Sequence, residues 1–84
     1  MRCRVLYFAR LRERFGLAEE ALELDGVPSV ADLIAQLQAR GGVWLEELAQ
    51  AKRFRVAVNQ ELVQVDALIP DSAEIALFPP VTGG

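Results

Sequence analysis

The first residues alternate between apolar and polar side chains with the two-residue period of a β-strand. The apolar positions on one side are Met1, Cys3, Val5 and Tyr7. Arg2 and Arg4 occupy the other side, and Leu6 and Phe8 follow them there. We therefore expect a central strand that is exposed at its start and covered on both faces at its end.

Helical spacing replaces this alternation after the first strand. Phe8, Leu11 and Phe15 recur at intervals of three and four residues, which predicts a short helix ending at Gly16. Residues 18–24 have helical propensity, but apolar and polar positions alternate at the end of the segment. We interpret residues 18–24 as a second strand.

The strongest helical pattern covers about residues 30–40. Ser29 and Asp32 match the capping box that starts many helices, with Asp in place of the usual Glu. The apolar face consists of Val30, Leu33, Ile34 and Leu37. Arg40 falls in the predicted last turn, and Gly41 can supply the left-handed residue that ends a helix. This segment is the predicted main helix.

A weaker helix and a hairpin are predicted next. The helical segment runs from Val43 to Gln50. Its apolar side is Trp44, Leu45 and Leu48. Alternation over residues 54–58, a turn at Asn59-Gln60 and a return over residues 62–65 then predict two antiparallel strands.

The last predicted elements are a turn and a buried strand. Pro70-Asp71-Ser72 favours a type I turn with proline at its second position, and residues 75–78 form a short apolar run. So few elements can bury their apolar faces only by packing one main helix across one mixed sheet, which is an α+β architecture. If the first and last strands are parallel neighbours, the fold is a β-grasp.

Chain length and charge restrict the function. A chain of 84 residues, 52% of them hydrophobic and 25% charged, has room for a single domain over residues 1–84 but hardly for an enclosed substrate cavity. The net charge of −3 has the wrong sign for a protein that binds phosphate backbones, so no nucleic-acid partner is expected. No apolar run approaches the roughly 20 residues of a membrane span or forms a signal peptide. We expect a cytoplasmic protein with no membrane partner.

Candidate catalytic side chains are scarce. The chain has no His, which excludes Ser-His and Cys-His pairs and imidazole ligands. Cys3 lies in the inward register of the first strand and is interpreted as a core residue, and no metal site is predicted. The adjacent pairs Glu19-Glu20 and Glu46-Glu47 are interpreted as solvated surface, because neighbouring side chains point in different directions.

The C-terminal segment is the exception. The chain closes with Pro79-Pro80-Val81-Thr82-Gly83-Gly84. Two prolines cannot donate to a sheet, so the last strand should end there and residues 79–84 should form an extended tail. Two glycines allow a backbone to enter a narrow channel. A frayed terminus is one interpretation; the other is a carboxylate that a second protein activates with ATP as an acyl-adenylate.

Three segments resemble the sulfur-carrier small subunits of molybdopterin synthases. They are VLYFA at 5–9 with Arg12-Glu13, AVNQ at 57–60 with Leu62-Val63, and EIALFPPVTGG at 74–84. The resemblance spans the whole chain, and the last segment is its most specific part. One departure is Asp71-Ser72-Ala73-Glu74, where relatives often have Asp-Gly-Asp-Glu, so the type of this turn is open.

The resemblance implies a ubiquitin-like β-grasp fold and a carrier function. In that family a ubiquitin-activating-like adenylyltransferase adenylates the C-terminal glycine, which becomes a thiocarboxylate and donates sulfur to cyclic pyranopterin monophosphate. Gly84 is then the implied sulfur-bearing residue. The implied threaded segment is Gly83 with Thr82, Val81, Pro80 and Pro79. ATP is implied as a substrate of the activating enzyme, with no cofactor bound by this chain.

The implied partners are proteins that receive the tail. Phe78, Leu62 and Arg12 match positions that contact the activating enzyme or the large synthase subunit in relatives. A hetero-tetramer of two small and two large subunits is expected, and the chain is expected to be non-catalytic alone.

Other functions stay open at the level of sequence. The same tail would suit a sulfur carrier for thiamine, or a ubiquitin-like modifier that forms isopeptide bonds with lysines. A plain binding module with an incidental terminus belongs to a different class, and it predicts that masking the C-terminus changes nothing.

Overall fold

The computed structural model describes residues 1–49 and 54–80, which form five strands and three helices. In chain order they are β1 (Arg2–Tyr7), α1 (Ala9–Phe15), β2 (Glu19–Glu23), α2 (Val30–Gln38), α3 (Gly42–Leu48), β3 (Arg55–Val58), β4 (Glu61–Val63) and β5 (Glu74–Phe78). The elements match the predicted ones, with boundaries that differ by a few residues; the predicted end of the third helix, Gln50, lies outside the described residues. None of the helices in these ranges is long and apolar enough to cross a membrane.

The sheet has the strand order β2-β1-β5-β3-β4. Its central neighbours β1 and β5 are parallel, whereas the other adjacent pairs are antiparallel. The first and last strands of the chain are therefore hydrogen-bonded to each other. This arrangement confirms the predicted mixed sheet and the ubiquitin-like β-grasp fold.

One face of the sheet forms the core together with α2. The strands contribute Cys3, Val5, Tyr7, Leu22, Val56, Val58, Ile75 and Leu77 to it. The predicted apolar face of α2 is buried among them, because all four of its residues join the same cluster. Cys3 is 1% exposed, and burial raises the pKa of its thiol, which confirms it as a core residue.

Hydrogen bonds at the start of α2 confirm the predicted capping box. The Oγ of Ser29 accepts from the N–H of Asp32 at 3.2 Å, and the N–H of Ser29 donates to Oδ2 of Asp32 at 2.8 Å. The predicted end of this helix is wrong, because α2 ends at Gln38 and Arg40 lies beyond it. Gly41 has a φ of 74° but a ψ of −170°, so it caps the start of α3 instead of ending α2.

Two predictions of burial are also wrong. Phe8 is 46% exposed and Leu6 is only half-buried, so the outer face at the end of β1 is open. Leu45, assigned to the apolar side of α3, is 51% exposed. The helices all contribute their buried side chains to the core face, so nothing among the described residues covers Leu6 and Phe8 on the other face. Helix α3 joins the core through Trp44 and Leu48, which leaves Leu45 outside it.

The hairpin between β3 and β4 has the predicted two-residue turn. Asn59 and Gln60 have φ values of 50° and 70°, as in the type I′ turn that matches strand twist. The side-chain Oδ1 of Asn59 also accepts from the N–H of Glu74 at 2.9 Å, which ties the turn to the start of β5.

The turn before β5 differs from the predicted type I turn. The N–H of Ala73 donates to the carbonyl oxygen of Pro70 at 3.3 Å, so Pro70 is the first residue of the turn and not the second. Ser72 is then the third residue and has a φ of 61°, which is the left-handed conformation of a type II turn. The residue that replaces the glycine of relatives thus sits where glycine is favoured.

Replacing Ser72 tests this strain. Gly adopts a positive φ freely, whereas Ala keeps the steric penalty, so we expect S72G to be about 1 kcal/mol more stable than S72A. Chemical denaturation measures the difference. At Gln36, an exposed position inside α2, the order should reverse, because Gly costs about 1 kcal/mol relative to Ala within a helix. Equal stability of S72G and S72A would contradict the assignment.

Candidate functional site

The tail leaves the sheet at the edge where β1 and β5 end and β3 begins. The N–H of Phe8 donates to the carbonyl oxygen of Leu77 at 3.1 Å, so the pairing of the parallel strands continues one residue past β1. On the other side of β5, Phe78 lies directly opposite Arg55 of β3. We call the positions Phe8, Phe78 and Arg55 the tail edge. Half-buried Pro79 follows there, and β5 ends at Phe78 as its missing donor requires.

The outer face of the sheet carries an apolar row beside this edge. The strand register places Leu6, Ala76, Ala57 and Leu62 next to one another across four strands. Leu62 is 66% exposed, and it adjoins the other apolar side chains of this row. We call this row with Phe78 the open face, because it is the side of the sheet opposite the core.

The structure places two of the predicted site residues on one surface and the third, Arg12, one helical turn after Phe8, whose carbonyl oxygen accepts from the N–H of Arg12 at 3.4 Å. Phe78 and Leu62 lie on the open face, one row apart in the register. Arg12 is exposed on α1, the helix that begins immediately after β1 reaches the tail edge. Pro79 and Pro80 follow β5 without regular secondary structure. The remaining predicted positions, Val81, Thr82, Gly83 and Gly84, lie outside the described residues.

Two residues of the edge are absent from the sequence prediction. The sequence places Phe8 both on the outer side of the first strand and in the helical spacing; the structure bears out the first, because Phe8 precedes α1 in an extended conformation and continues the outward register of Leu6. Arg55 was treated only as a polar position between buried residues of β3. The alternation of β1 contained the signal for Phe8. The residues around Arg55 in the chain give no signal of a site, because Arg55 reaches the tail edge only through the pairing of β3 with β5.

A charged network on the core side holds the end of β1. The O–H of Tyr7 donates to Oε2 of Glu20 at 2.8 Å, and both terminal nitrogens of Arg40 bind the same carboxylate, at 2.9 and 2.7 Å. The Arg40 hydrogen bonds lower the pKa of Glu20, and burial, followed by the hydrogen bond to the carboxylate, raises the pKa of Tyr7. The prediction of a solvated Glu20 is therefore wrong, and Arg40 serves this network instead of the end of α2.

An aromatic cluster packs beneath the same network. The rings of Phe15 and Trp44 are stacked with centroids 3.9 Å apart, and Tyr7 meets both edge-on at 5.2 and 5.4 Å. The guanidinium carbon of Arg40 lies 4.4 Å from the centre of the Trp44 ring. The cluster thus joins the end of β1 to α1 and α3.

A second pairing fixes α1 against α3. The side chain of Glu47 is only 5% exposed, and its Oε1 accepts from Nε of Arg10 at 2.8 Å, while Oε2 lies 3.6 Å from Nε of Arg14. Its neighbour Glu46 pairs with Arg14 at 3.1 Å. The predicted solvated surface is wrong at Glu47, because the neighbouring helix supplies two cations that the sequence pattern did not connect with it. Both pairings steady the helix that carries Arg12.

The tail edge can make apolar and charged contacts with a binding partner. It combines the exposed ring of Phe8 and the half-buried ring of Phe78 with the positive charge of Arg55, next to a main chain that leaves the sheet. Arg12 adds a second positive charge one helical turn after Phe8. Among the side chains that the structure describes, no group of three or more His, Cys, Asp or Glu residues is placed to hold a metal ion.

Comparisons with known proteins give a consistent result. The model of the ThiS family matches residues 5–84. The chain is 40% identical over 81 residues to the molybdopterin synthase sulfur carrier subunit of Escherichia coli, covering 96% of this chain and 98% of that protein. It resembles the solved structure of a putative molybdopterin converting factor, subunit 1, from Pyrococcus furiosus, with a TM-score of 0.81, 30% identity and coverage of 96% and 99%. The structure of SAMP1 from Haloferax volcanii also has a TM-score of 0.81, with 27% identity and full coverage of both chains.

The network around Glu20 predicts a pH dependence of stability. Folding lowers the pKa of Glu20, so Glu20 stabilises the folded state when it is ionised. This contribution to the free energy of unfolding is fully present above the unfolded-state pKa of about 4.3 and is lost as the pH falls through the lower pKa of the folded state. We expect Glu20→Gln to lower the unfolding free energy by about 1–2 kcal/mol at neutral pH and by progressively less below about pH 4. Denaturation at several pH values measures both. Glu23→Gln is the control, because its pair with Arg2 is largely exposed and should matter little. A deficit that stays constant down to pH 2 would contradict the assignment.

Proposed function

Because this chain belongs to the ThiS family, we propose that it is the sulfur carrier subunit of a molybdopterin synthase. Relatives with that name are 31–40% identical over nearly the full chain. The observation that carries the proposal is the position of β5: the strand that precedes the Gly-Gly tail ends on an edge bordered by the open face. A partner can therefore contact the fold and receive the tail at the same place.

The reacting group is the main-chain carboxylate of Gly84. A carboxylate is inert towards nucleophiles, so a ubiquitin-activating-like adenylyltransferase first joins it to AMP at the expense of ATP, releasing pyrophosphate. A sulfide-level sulfur then attacks the acyl carbon, a carbon–sulfur bond forms, and AMP leaves with its oxygen. The product is a thiocarboxylate at Gly84, and ATP is a substrate of the activating enzyme.

Sulfur transfer then takes place in the large synthase subunit. The segment Pro79–Gly84 enters that subunit, the sulfur passes to cyclic pyranopterin monophosphate, and water restores the carboxylate. Two such transfers supply the two sulfurs of the dithiolene, which suits a complex of two small and two large subunits. Phe78, Leu62 and Arg12 supply contacts at the edge and on the open face. The reactions belong in the cytoplasm.

Protein modification is a second candidate function. The likeness to SAMP1, a small archaeal modifier protein, favours it, because the same activated acyl group could react with a lysine amine. The two functions differ in their product: a modifier gives conjugates of higher mass in cell extracts, whereas a carrier gives a thiocarboxylate on the free chain.

Mass spectrometry of the incubated protein tests the carrier function. With the activating enzyme, ATP and a sulfur donor, we expect the C-terminal peptide to gain the mass difference between sulfur and oxygen. A chain lacking Gly83 and Gly84 is the control and should gain nothing, while its melting temperature shows that it is folded. Failure of the full chain to react, where an established carrier is converted under the same conditions, would overturn the proposal.

Leucine substitutions test the open face. Leu62→Ala should weaken binding to the large subunit by about 1–2 kcal/mol, roughly 5- to 30-fold in Kd, because it removes exposed apolar contact area. Leu68→Ala is a matched control, since Leu68 is 63% exposed, close to the 66% of Leu62, but lies in the loop before β5. Titration calorimetry measures both affinities. Equal affinities of the two variants would exclude the open face as the contact surface.

A further inference from the structure

Arg55 and Arg12 differ from every other arginine that the structure describes. The others each have a carboxylate within 4.0 Å, in the pairs Arg2–Glu23, Arg4–Glu19, Arg10–Glu47, Arg14–Glu46 and Arg40–Glu20. Within residues 1–49 and 54–80, no carboxylate lies that close to Arg55 or Arg12. Both side chains are exposed. In a chain with a net charge of −3, these are the two arginines of the described ranges that form no ion pair there.

Arg55 and Arg12 also share a location, because both are carried by elements that border the tail edge. Arg55 lies opposite Phe78 in the antiparallel pairing of β3 and β5, so the two side chains share the open face at the tail edge. Arg12 is on the helix that starts beside the other border of that edge. The paired arginines Arg2 and Arg4 instead lie towards the far end of the sheet, where Arg4 is in register with Glu74. Arg55 and Arg12 thus lie on the two elements that border the tail edge.

A protein that receives the tail must cover this edge. Covering a guanidinium removes water from it, which is costly unless the partner supplies an opposite charge. A second copy of this chain in a two-fold contact would bring Arg55 and Arg12 against the same basic residues, which disfavours self-association here.

Resting on the function proposed above, we infer that Arg55 is a docking residue that pairs with a carboxylate of the large synthase subunit beside the entrance of its tail channel. Arg12 provides the same charge on α1, one helical turn after Phe8. Pairing of this kind speeds association through electrostatic attraction and fixes the orientation of the fold relative to the channel. Phe78, which lies opposite Arg55, supplies the apolar contact.

Association kinetics with the large subunit test this inference. At about 0.05 M salt, Arg55→Glu should lower the association rate constant by about tenfold or more, and at about 0.5 M salt the difference should shrink to less than about threefold. Arg55→Gln should show a smaller loss in the same direction. Arg2→Glu is the matched control, because it makes the same charge change at an exposed site at the far end of β1, and it should stay within about twofold of the unsubstituted chain.

The outcomes separate this inference from the function on which it rests. If the unsubstituted chain neither binds the large subunit nor transfers sulfur, the proposed function fails. If it does both but Arg55→Glu and Arg2→Glu associate equally fast at low salt, only the docking role of Arg55 fails. A loss that does not depend on salt would contradict charge pairing, and a loss seen only with the adenylyltransferase would contradict the large subunit as the partner. Melting temperatures near that of the unsubstituted chain show that the variants are folded.

Discussion

Parallel pairing between β1 and β5 is the constraint on which the rest of the structure depends. It places the first and last strands side by side at the centre of the sheet, so both end at the same edge. The helix after β1 and the tail after β5 therefore start next to each other. Residues that are far apart in the chain, such as Arg12, Arg55 and Phe78, come to border one site as a result.

The two faces of the sheet have separate roles. The core face supplies stability through α2, the aromatic cluster and the ion pairs of Glu20 and Glu47. These contacts also hold α1 and the end of β1, so the tail edge is built on fixed elements. The outer face contributes little to the core, because Leu62 is largely exposed. Its side chains are thus available for partners at little cost to folding.

The sequence pattern predicted the elements but not their charged contacts. Strand alternation, the helical spacing around Leu33 and the capping box at Ser29 are local, and each matched the structure. The burial of Glu47 depends on arginines of α1 some 35 residues away in the chain, at Arg10 and Arg14, which no local pattern connects with it. The role of Arg55 likewise depends on strand pairing, since its neighbour Phe78 is remote in sequence. The chemistry of the tail, in contrast, is implied by the resemblance of residues 74–84 to the sulfur carriers, because the residue types alone leave a frayed terminus open.

The central position of β5 also links synthesis to function. Ile75 and Leu77 have no exposed surface, and β1 has β2 as its only other neighbour in the sheet. A ribosome-bound or truncated chain that stops before residue 74 lacks the strand that joins the two halves of the sheet. Such a fragment would expose apolar surface to proteases and chaperones. The sheet can therefore close only in chains whose synthesis has reached β5, the strand that directly precedes the tail.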